Sequence, residues 1–437
     1  MPVLAAYAAA HPPLIIPAVG RGRERDIQPT VDAYREVAAR IAALAPETIV
    51  ITSPHAAFWA DWFHISPGAE ACGSFAGFGA PEAAYRVAYD TELADEICAI
   101  CEERGIAAGT AYERDAALDH ATMIPVHFIE EELSDFKVVR IGLAGLPAEE
   151  HRRFGHAIAE AAERLGRRIV FVASGDLSHK LLKDGPYGFA PEGPAFDERV
   201  TADFARGDLD DLFAIDPSFA DAAAECGLRS FQIMAGALDG CSFRSELLSY
   251  EGPFGVGYGI AAFTPEEDAL VRLARASLAS YVRDGVRMDP PSWTAPELAG
   301  TRAGCFISLK LDGRLRGCIG TIAPTRASLA EEICANAVSA AAFDPRFPPV
   351  APAELDSLSV SVDVLGEAEP VSGLDELDPA RYGVIVSTAE GRRGLLLPDL
   401  EGVDTVEEQV AIAARKGGIE LGFEPVMLER FEVVRHR

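Results

Sequence analysis

The chain has 437 residues and a formal net charge of −29, from 68 acidic and 39 basic residues. This excess of negative charge repels nucleic acid and anionic membrane surfaces, so we expect neither as a partner. Hydrophobic residues make up 49% and charged residues 24%, which is the balance of a folded globular chain rather than a disordered one. The length exceeds one ordinary hydrophobic core and indicates two or three domains.

Localisation and redox state are predicted from what the chain lacks. No apolar run approaches the roughly 20 residues of a membrane span, and the apolar start is interrupted by His11 and two prolines without a preceding basic region. We therefore expect a cytoplasmic protein whose eight cysteines are reduced. Cys98 and Cys101 form a CxxC inside a helical pattern without a second such pair, which favours buried thiols over a zinc or redox site.

The first 264 residues alternate β-rich runs with helical patterns, which predicts an α/β sheet with helices on both faces. A loop from Lys180 to Asp197 is rich in glycine, proline and aromatic residues and is typical of a lid or a pocket wall. The predicted elements are a strand over 2–8, a helix over 31–44, a strand over 47–54, a helix over 92–105, a strand over 136–145, a helix over 148–166, a strand over 167–174 and an antiparallel hairpin over 245–263.

A second domain is predicted from 265 to 437. Thr264 and Glu267 have the spacing of a helix capping box, which places the boundary after residue 264. From there the pattern is α+β. The predicted elements are a helix after Thr264, a hairpin over 304–322 with a turn at Asp312–Gly313, a helix over 328–343, strands within 358–366 and 382–398, and a helix over 406–418.

Three histidines directly follow predicted strands of the first domain. They are His11, His55 and His179, and Glu251 adds a carboxylate at the end of a fourth strand. In open α/β sheets ligands bind beyond the carboxyl ends of the strands, so these side chains are expected to converge. A single histidine of this kind is more often a hydrogen-bonded turn residue. The coincidence of several favours a site.

The expected ligand set is two histidines and one carboxylate with open positions, which suits non-haem Fe(II). Zinc accepts the same ligands, so the ligand types alone leave the metal open between Fe(II) and Zn. His120, preceded by Asp119 and followed by an apolar run, is a further candidate for the site. The alternative for His120 is a capped turn before a buried segment.

Five ordered segments carry a resemblance to a known family. HPP, SPHAAFWAD, LDHATMIP, SGDLSH and YEGPFGVGY, spread over 3–263, resemble the class III (LigB-type) extradiol ring-cleavage dioxygenases and the related Memo-like proteins. LRGCIGTI at 315–322 and FDPRFPP at 343–349 resemble the AMMECR-type domain. The resemblance implies a LigB/Memo-like domain over 1–264 fused to a smaller AMMECR-type domain over 265–437. It also implies a radical SAM protein as a partner and assembly into a homo-oligomer.

The resemblance implies roles for individual residues. It makes His11 and His55 metal ligands, and strand order places the third ligand at Glu251, with Glu246 as its rival. His179 corresponds to the family's base and His120 to a second histidine that handles a proton near oxygen. For Asp176 two interpretations remain open, one in which it orients His179 and one in which it caps the next turn.

The function implied is Fe(II)-dependent extradiol cleavage, in which a small catechol-like aromatic diol is opened with O2. The alternative is a Memo-like metal-binding protein, either another metalloenzyme or a scaffold, that acts with the radical SAM partner and opens no ring. In the second domain Cys318 is a candidate nucleophile beside Arg316, but a buried hairpin thiol is favoured because His436 is the domain's only histidine. Arg346 either binds an anion or pairs with Asp344, and the pair is favoured.

Overall fold

The structure is a computed structural model that describes residues 3–114, 116–311, 314–400, 402–422 and 425–436. The chain forms two compact units, Met1–Glu266 and Glu267–Arg437. Among the described residues, no helix combines the length and the apolarity needed to cross a membrane. Each unit is considered by itself below.

The first unit is built on a six-stranded sheet with the order β7-β2-β8-β1-β10-β9. The four strands β7, β2, β8 and β1 are parallel, and β10 and β9 extend the sheet in antiparallel fashion. Ten strands occur in the described part of this unit: β1 Val3–Ala9, β2 Thr48–Ser53, β3 Phe63–His64, β4 Glu70–Phe75, β5 Ala80–Ala88, β6 Ala108–Gly109, β7 Lys137–Gly142, β8 Ile169–Ser174, β9 Phe243–Glu251 and β10 Tyr258–Pro265.

Helices cover both faces of this sheet because its central strands are apolar on both sides. In β1, Ala6 and Ala8 join one core cluster, whereas Tyr7 and Ala9 join the other, as the period of two in a strand requires. Helices α2 and α4 pack on one face, and α3, α5, α6 and α8 on the other. The helices of this unit are α1 Pro17–Gly20, α2 Gln28–Leu44, α3 Thr91–Arg104, α4 His120–Glu132, α5 Ala148–Leu165, α6 Glu192–Arg206, α7 Pro217–Ala223 and α8 Leu228–Leu238.

The second unit contains two antiparallel four-stranded sheets, β12-β11-β13-β18 and β14-β17-β15-β16. Helices α9 and α11 pack on the first sheet, and α12 packs on the second. The Asp312–Gly313 turn predicted between β11 and β12 lies outside the described residues. The elements are α9 Ala269–Asp284, α10 Pro296–Gly300, β11 Cys305–Leu311, β12 Arg314–Gly320, α11 Leu329–Ala342, β13 Leu358–Leu365, β14 Glu369–Val371, β15 Gly383–Ser387, β16 Arg393–Leu396, α12 Val406–Lys416, β17 Met427–Phe431 and β18 Val433–His436.

The predicted fold class is confirmed: an α/β sheet domain with helices on both faces is followed by a smaller α+β domain. The sequence analysis did not predict the β4–β5 hairpin or the helices α6, α7 and α8. The outer strand β5 has mostly exposed side chains, so its pattern carries little hydrophobic signal.

Candidate metal centre

The ends of three neighbouring parallel strands define the site. His11 follows β1 by two residues, His55 follows β2 by two residues, and Asp176 follows β8 by two residues. Since β8 lies between β1 and β2 and all three run in the same direction, their carboxyl ends meet at one edge. The rings of His11 and His55 are 5.0 Å apart between centroids. The predicted convergence of these two histidines is therefore present in the structure.

Buried hydrogen bonds orient the His11 ring. Its Nδ1 lies 3.1 Å from Oγ of Ser174, and that hydroxyl donates its single hydrogen to the carbonyl of Ala121. Nδ1 must therefore carry the proton and donate it to Ser174, which leaves a lone pair on Nε2. The backbone N–H of His11 donates to Oδ1 of Asp176 at 2.7 Å. The ring thus presents Nε2 as a preformed acceptor or metal ligand.

Cys226 completes the site from a distant part of the chain. It stands two residues before α8, and its Sγ is 3.6 Å from Nε2 of His11. Two glycines allow this approach, because a Cβ on Gly175 would lie only 2.2 Å from Cα of Gly227. The backbone N–H of Cys226 also donates to the carbonyl of Asp176 at 3.3 Å. The loop before α8 is therefore held directly against the end of β8.

Two groups of side chains in the described residues have a geometry that could hold a metal ion. The first is His11, His55 and Cys226, and the second is Asp176, His179 and Cys226. Within each group all ligand atoms lie within 4.8 Å of one another, and the two groups share the thiol. His55 is exposed whereas His11 is buried, so an ion has access to the site from one side.

The electrostatics of the site fit a cation. Burial, together with nearby His55 and His179, lowers the pKa of His11 well below its ordinary value. Burial raises the pKa of Asp176 to about 6 and that of the Cys226 thiol well above its ordinary value. Neutral imidazole, carboxylate and thiolate are the forms that bind metals, and a divalent ion supplies the positive charge that offsets burying the two anions.

His120 lies beside these candidate ligands as the first residue of α4. Its ring centroid is 4.3 Å from that of His55 and 5.4 Å from that of His11. Burial and the two neighbouring imidazoles lower the pKa of His120 to about 3, so the ring is neutral near pH 7. Asp119 caps α4 by accepting from the backbone N–H of Thr122, so the capped turn is present, whereas a role of His120 in the site stays a prediction.

His179 reaches the same cluster from the loop after β8. Its Nδ1 faces the carbonyl of Ala224, which can only accept, so Nδ1 carries the proton and Nε2 keeps its lone pair. The ring of Tyr187 packs edge-on at 5.1 Å between centroids. Asp197 accepts from the backbone N–H of Ser178 at 2.7 Å and so anchors the segment before His179.

The structure places Glu251 outside both groups. Its Oε1 accepts the backbone N–H of Thr30 at 3.0 Å and also the Thr30 hydroxyl, which closes the first turn of α2. Glu246, its rival in the sequence analysis, pairs with Arg40 at 2.8 Å. Glu251 ends β9, which lies at the edge of the sheet and is separated from β1 by β10. A ligand role for Glu251 has no support from these contacts.

Cys226 was not among the predicted site residues. It follows no predicted strand and stands in a short ECG segment before an apolar helix, so neither strand ends nor a spacing motif selects it. Its thiol is also 215 residues from His11 along the chain, so no local pattern relates the two. The one sequence feature that could have pointed to Cys226 is the glycine after it, Gly227, because a glycine permits close packing of the backbone.

The second domain shows a polar cluster around Cys318. Its Sγ accepts from the Ser308 hydroxyl at 3.4 Å, and its backbone N–H donates to Oδ2 of Asp344 at 2.8 Å. Arg346 pairs with Asp344 at 2.7 Å, so the favoured structural pair is confirmed. Arg316 is bound by Glu354 rather than directed at the thiol.

The fold defines an α/β domain followed by an α+β domain, and the strand ends of the first domain carry a cluster that could bind a metal. Residues 5–261 match the family model described as the catalytic LigB subunit of aromatic ring-opening dioxygenase, and residues 271–436 match the AMMECR1 model. The chain belongs to the LigB family in its N-terminal domain and carries an AMMECR1 domain at its C-terminal end. Both predicted resemblances, to LigB-type and AMMECR-type domains, are confirmed.

Similar proteins cover either the whole chain or part of it. Protein CA_C1420 of Clostridium acetobutylicum is 40% identical over 463 residues, covering 99% of this chain and 98% of the relative. A Thermotoga maritima protein is 52% identical over 172 residues, covering 39% of this chain and 98% of its own length. The solved structure of PH0010 from Pyrococcus horikoshii has 34% identity and a TM-score of 0.35, covering 38% of this chain and 87% of that one. The similarity to the clostridial protein therefore spans both domains of this chain.

Proposed function

We propose that this protein is a metal-dependent dioxygenase that opens a catechol-like aromatic diol with O2, with Fe(II) held by His11, His55 and Cys226. The observation that carries the proposal is the convergence of these three donors beside two further imidazoles, His120 and His179. Three protein ligands leave coordination positions open, as a catalytic metal requires. The LigB family model supports the reaction class.

A metal held by His11, His55 and Cys226 would supply Lewis-acid activation of the diol and the redox chemistry with O2. The protein's part begins with His179, because chelation of a diol releases protons that need an acceptor. Its Nε2 carries a lone pair, since Nδ1 is engaged by the carbonyl of Ala224. That hydrogen bond also holds the ring in place, so Nε2 is positioned to take a proton from a substrate hydroxyl.

His120 is the second proton-handling group. It is neutral near pH 7, and its position between Phe78 and His55 places it on the wall of the same cluster. A neutral imidazole offers one N–H, which here would hydrogen-bond an oxygen on which negative charge develops. Asp176 holds the backbone of His11 and so positions the ligand rather than the substrate.

A second candidate function is favoured by the sulfur ligand. Thiolate is softer than carboxylate and suits zinc as well as iron. With Cys226 as the third ligand, the same pocket fits a Memo-like zinc or iron protein that does not open rings and that acts with a radical SAM protein. The two candidates share the metal site and differ in metal and in substrate.

Metal content and a ring-opening assay on the full-length protein test the proposal. Protein purified without air is compared with His55→Ala and with His127→Gln, a histidine whose ring contacts Tyr85 and Glu131 outside the cluster. We expect about one iron per chain in wild type and His127→Gln, loss in His55→Ala, and a coloured product on aerobic addition of simple catechols. Bound zinc without product would favour the second candidate, and absence of any bound metal would contradict both.

A further inference from the structure

The second group of donors, Asp176, His179 and Cys226, is not needed to hold the first ion. Its three ligand atoms lie within 4.8 Å of one another, the same limit that the first group meets. Asp176 is buried, and the other two residues are half-buried. The cluster therefore has more metal-binding atoms than one three-ligand site uses.

Each member of the second group offers a donor atom to the cluster. In the neutral ring of His179, Nδ1 carries the hydrogen and donates a hydrogen bond to the carbonyl of Ala224. Nε2 therefore carries the lone pair. Oδ1 of Asp176 accepts from the backbone N–H of His11, whereas Oδ2 lies 3.8 Å from Nε2 of His11 and faces the cluster. The Cys226 sulfur belongs to both groups, and a thiolate can bridge two cations.

We propose that Asp176, His179 and Cys226 form a second, weaker divalent-cation site that shares the thiolate with the first. It is weaker because Cys226 already gives electron density to the first ion and because two cations at short range repel each other. A cation bound there occupies the lone pair on Nε2 of His179. Excess metal therefore prevents His179 from acting as a base and inhibits the proposed reaction. This inference rests on the proposed metal site of His11, His55 and Cys226.

Co(II) titration of metal-free, full-length protein provides a test that does not depend on catalysis. Cobalt replaces zinc or iron with N, O and S ligands, and its absorbance reports thiolate coordination. We expect two binding events in wild type, the second at least tenfold weaker. Asp176→Asn keeps the acceptor for the His11 N–H, and His179→Gln removes the imidazole. Both variants should keep the first event with its thiolate band and lose the second.

His127→Gln is the matched control, because it removes a histidine that lies outside the cluster. It should bind two ions as wild type does. One ion per chain in wild type would overturn the inference and leave the proposed function intact, whereas no bound ion would contradict both. Two ions retained in both Asp176→Asn and His179→Gln, or a second ion lost in His127→Gln, would place that ion elsewhere and overturn the inference.

Discussion

The sulfur of Cys226 lies 3.6 Å from Nε2 of His11, although 215 residues separate them in the chain. The contact joins the end of the central strand β1 to the turn before α8. It depends on the close packing of Gly175 against Gly227. This pairing gives the candidate site a sulfur donor where a carboxylate was expected, and it determines the most direct test of the ligand set.

Replacing Cys226 with serine should weaken metal binding. A neutral hydroxyl is a poor ligand compared with a thiolate, and loss even of a residue that only supports a ligand costs about 10-fold to 100-fold in affinity. We therefore expect at least about a tenfold loss, measured by competition with a chelator. Cys72→Ser, which removes an exposed thiol, is the control and should bind as wild type does. Equal affinity in Cys226→Ser would exclude sulfur as a ligand.

Replacing Glu251 with alanine should change stability and leave metal content unchanged. The carboxylate accepts two hydrogen bonds from Thr30, whose side chain is fully buried, and their loss leaves donors of the first turn of α2 unsatisfied. The expected cost is about 1–3 kcal/mol of unfolding free energy. Fluorescence in a Trp293→Phe background reports the first unit, because the two remaining tryptophans are Trp59 and Trp62. Loss of metal in Glu251→Ala would instead support the originally expected ligand.

Replacing Ser174 with alanine should lower metal affinity without removing a ligand. Its Oγ accepts a hydrogen bond from Nδ1–H of His11 and donates one to the carbonyl of Ala121. Without the Ser174 hydroxyl, no hydrogen bond keeps the hydrogen on Nδ1 of His11 and the lone pair on Nε2. We expect a loss of about 10-fold in affinity by chelator competition. Ser174→Thr keeps a hydroxyl and should recover part of the affinity, whereas unchanged binding in the alanine variant would contradict this orienting role.

Asp197 should make the first unit less stable at high pH. Burial raises its pKa to about 7, although the Ser178 N–H and the Tyr250 hydroxyl partly oppose the shift. Because the folded pKa exceeds the unfolded value of about 4, the associated stability is present below about pH 4 and is lost as the pH rises through about 7. The total change is on the order of 4 kcal/mol.

Asp197→Asn tests this dependence, since the amide oxygen can still accept from Ser178 and does not ionise. Urea unfolding in the Trp293→Phe background should show the variant gaining stability relative to its parent from about pH 4 to about pH 8. Burial also raises the pKa values of Asp176 and Glu225, which are present in both proteins. The difference in unfolding free energy between the variant and its parent therefore reports the contribution of Asp197. A difference that does not vary with pH would contradict the assigned shift.

Much of the fold and part of the site follow from local sequence patterns. Apolar runs such as those of β1, β2 and β8 form strands because their side chains are buried on both faces. The parallel order then places His11, His55 and the segment from Asp176 to His179 at one edge. Their proximity was predictable because strand ends in a parallel sheet meet irrespective of the loops between them. As metal ligands and catalytic groups they stay predictions.

The tertiary structure was needed to show that Cys226 lies in the candidate site and that Glu251 lies outside it. No periodic pattern marks a residue in a turn, and the turn before α8 meets the end of β8 through packing between glycines 52 positions apart, Gly175 and Gly227. Glu251 stands at a strand end as predicted, but a whole strand separates it from β1, and it accepts hydrogen bonds from the N–H and the hydroxyl of Thr30 in α2. Sequence alone determined which groups are at the edge of the sheet, and long-range packing determined which of them touch.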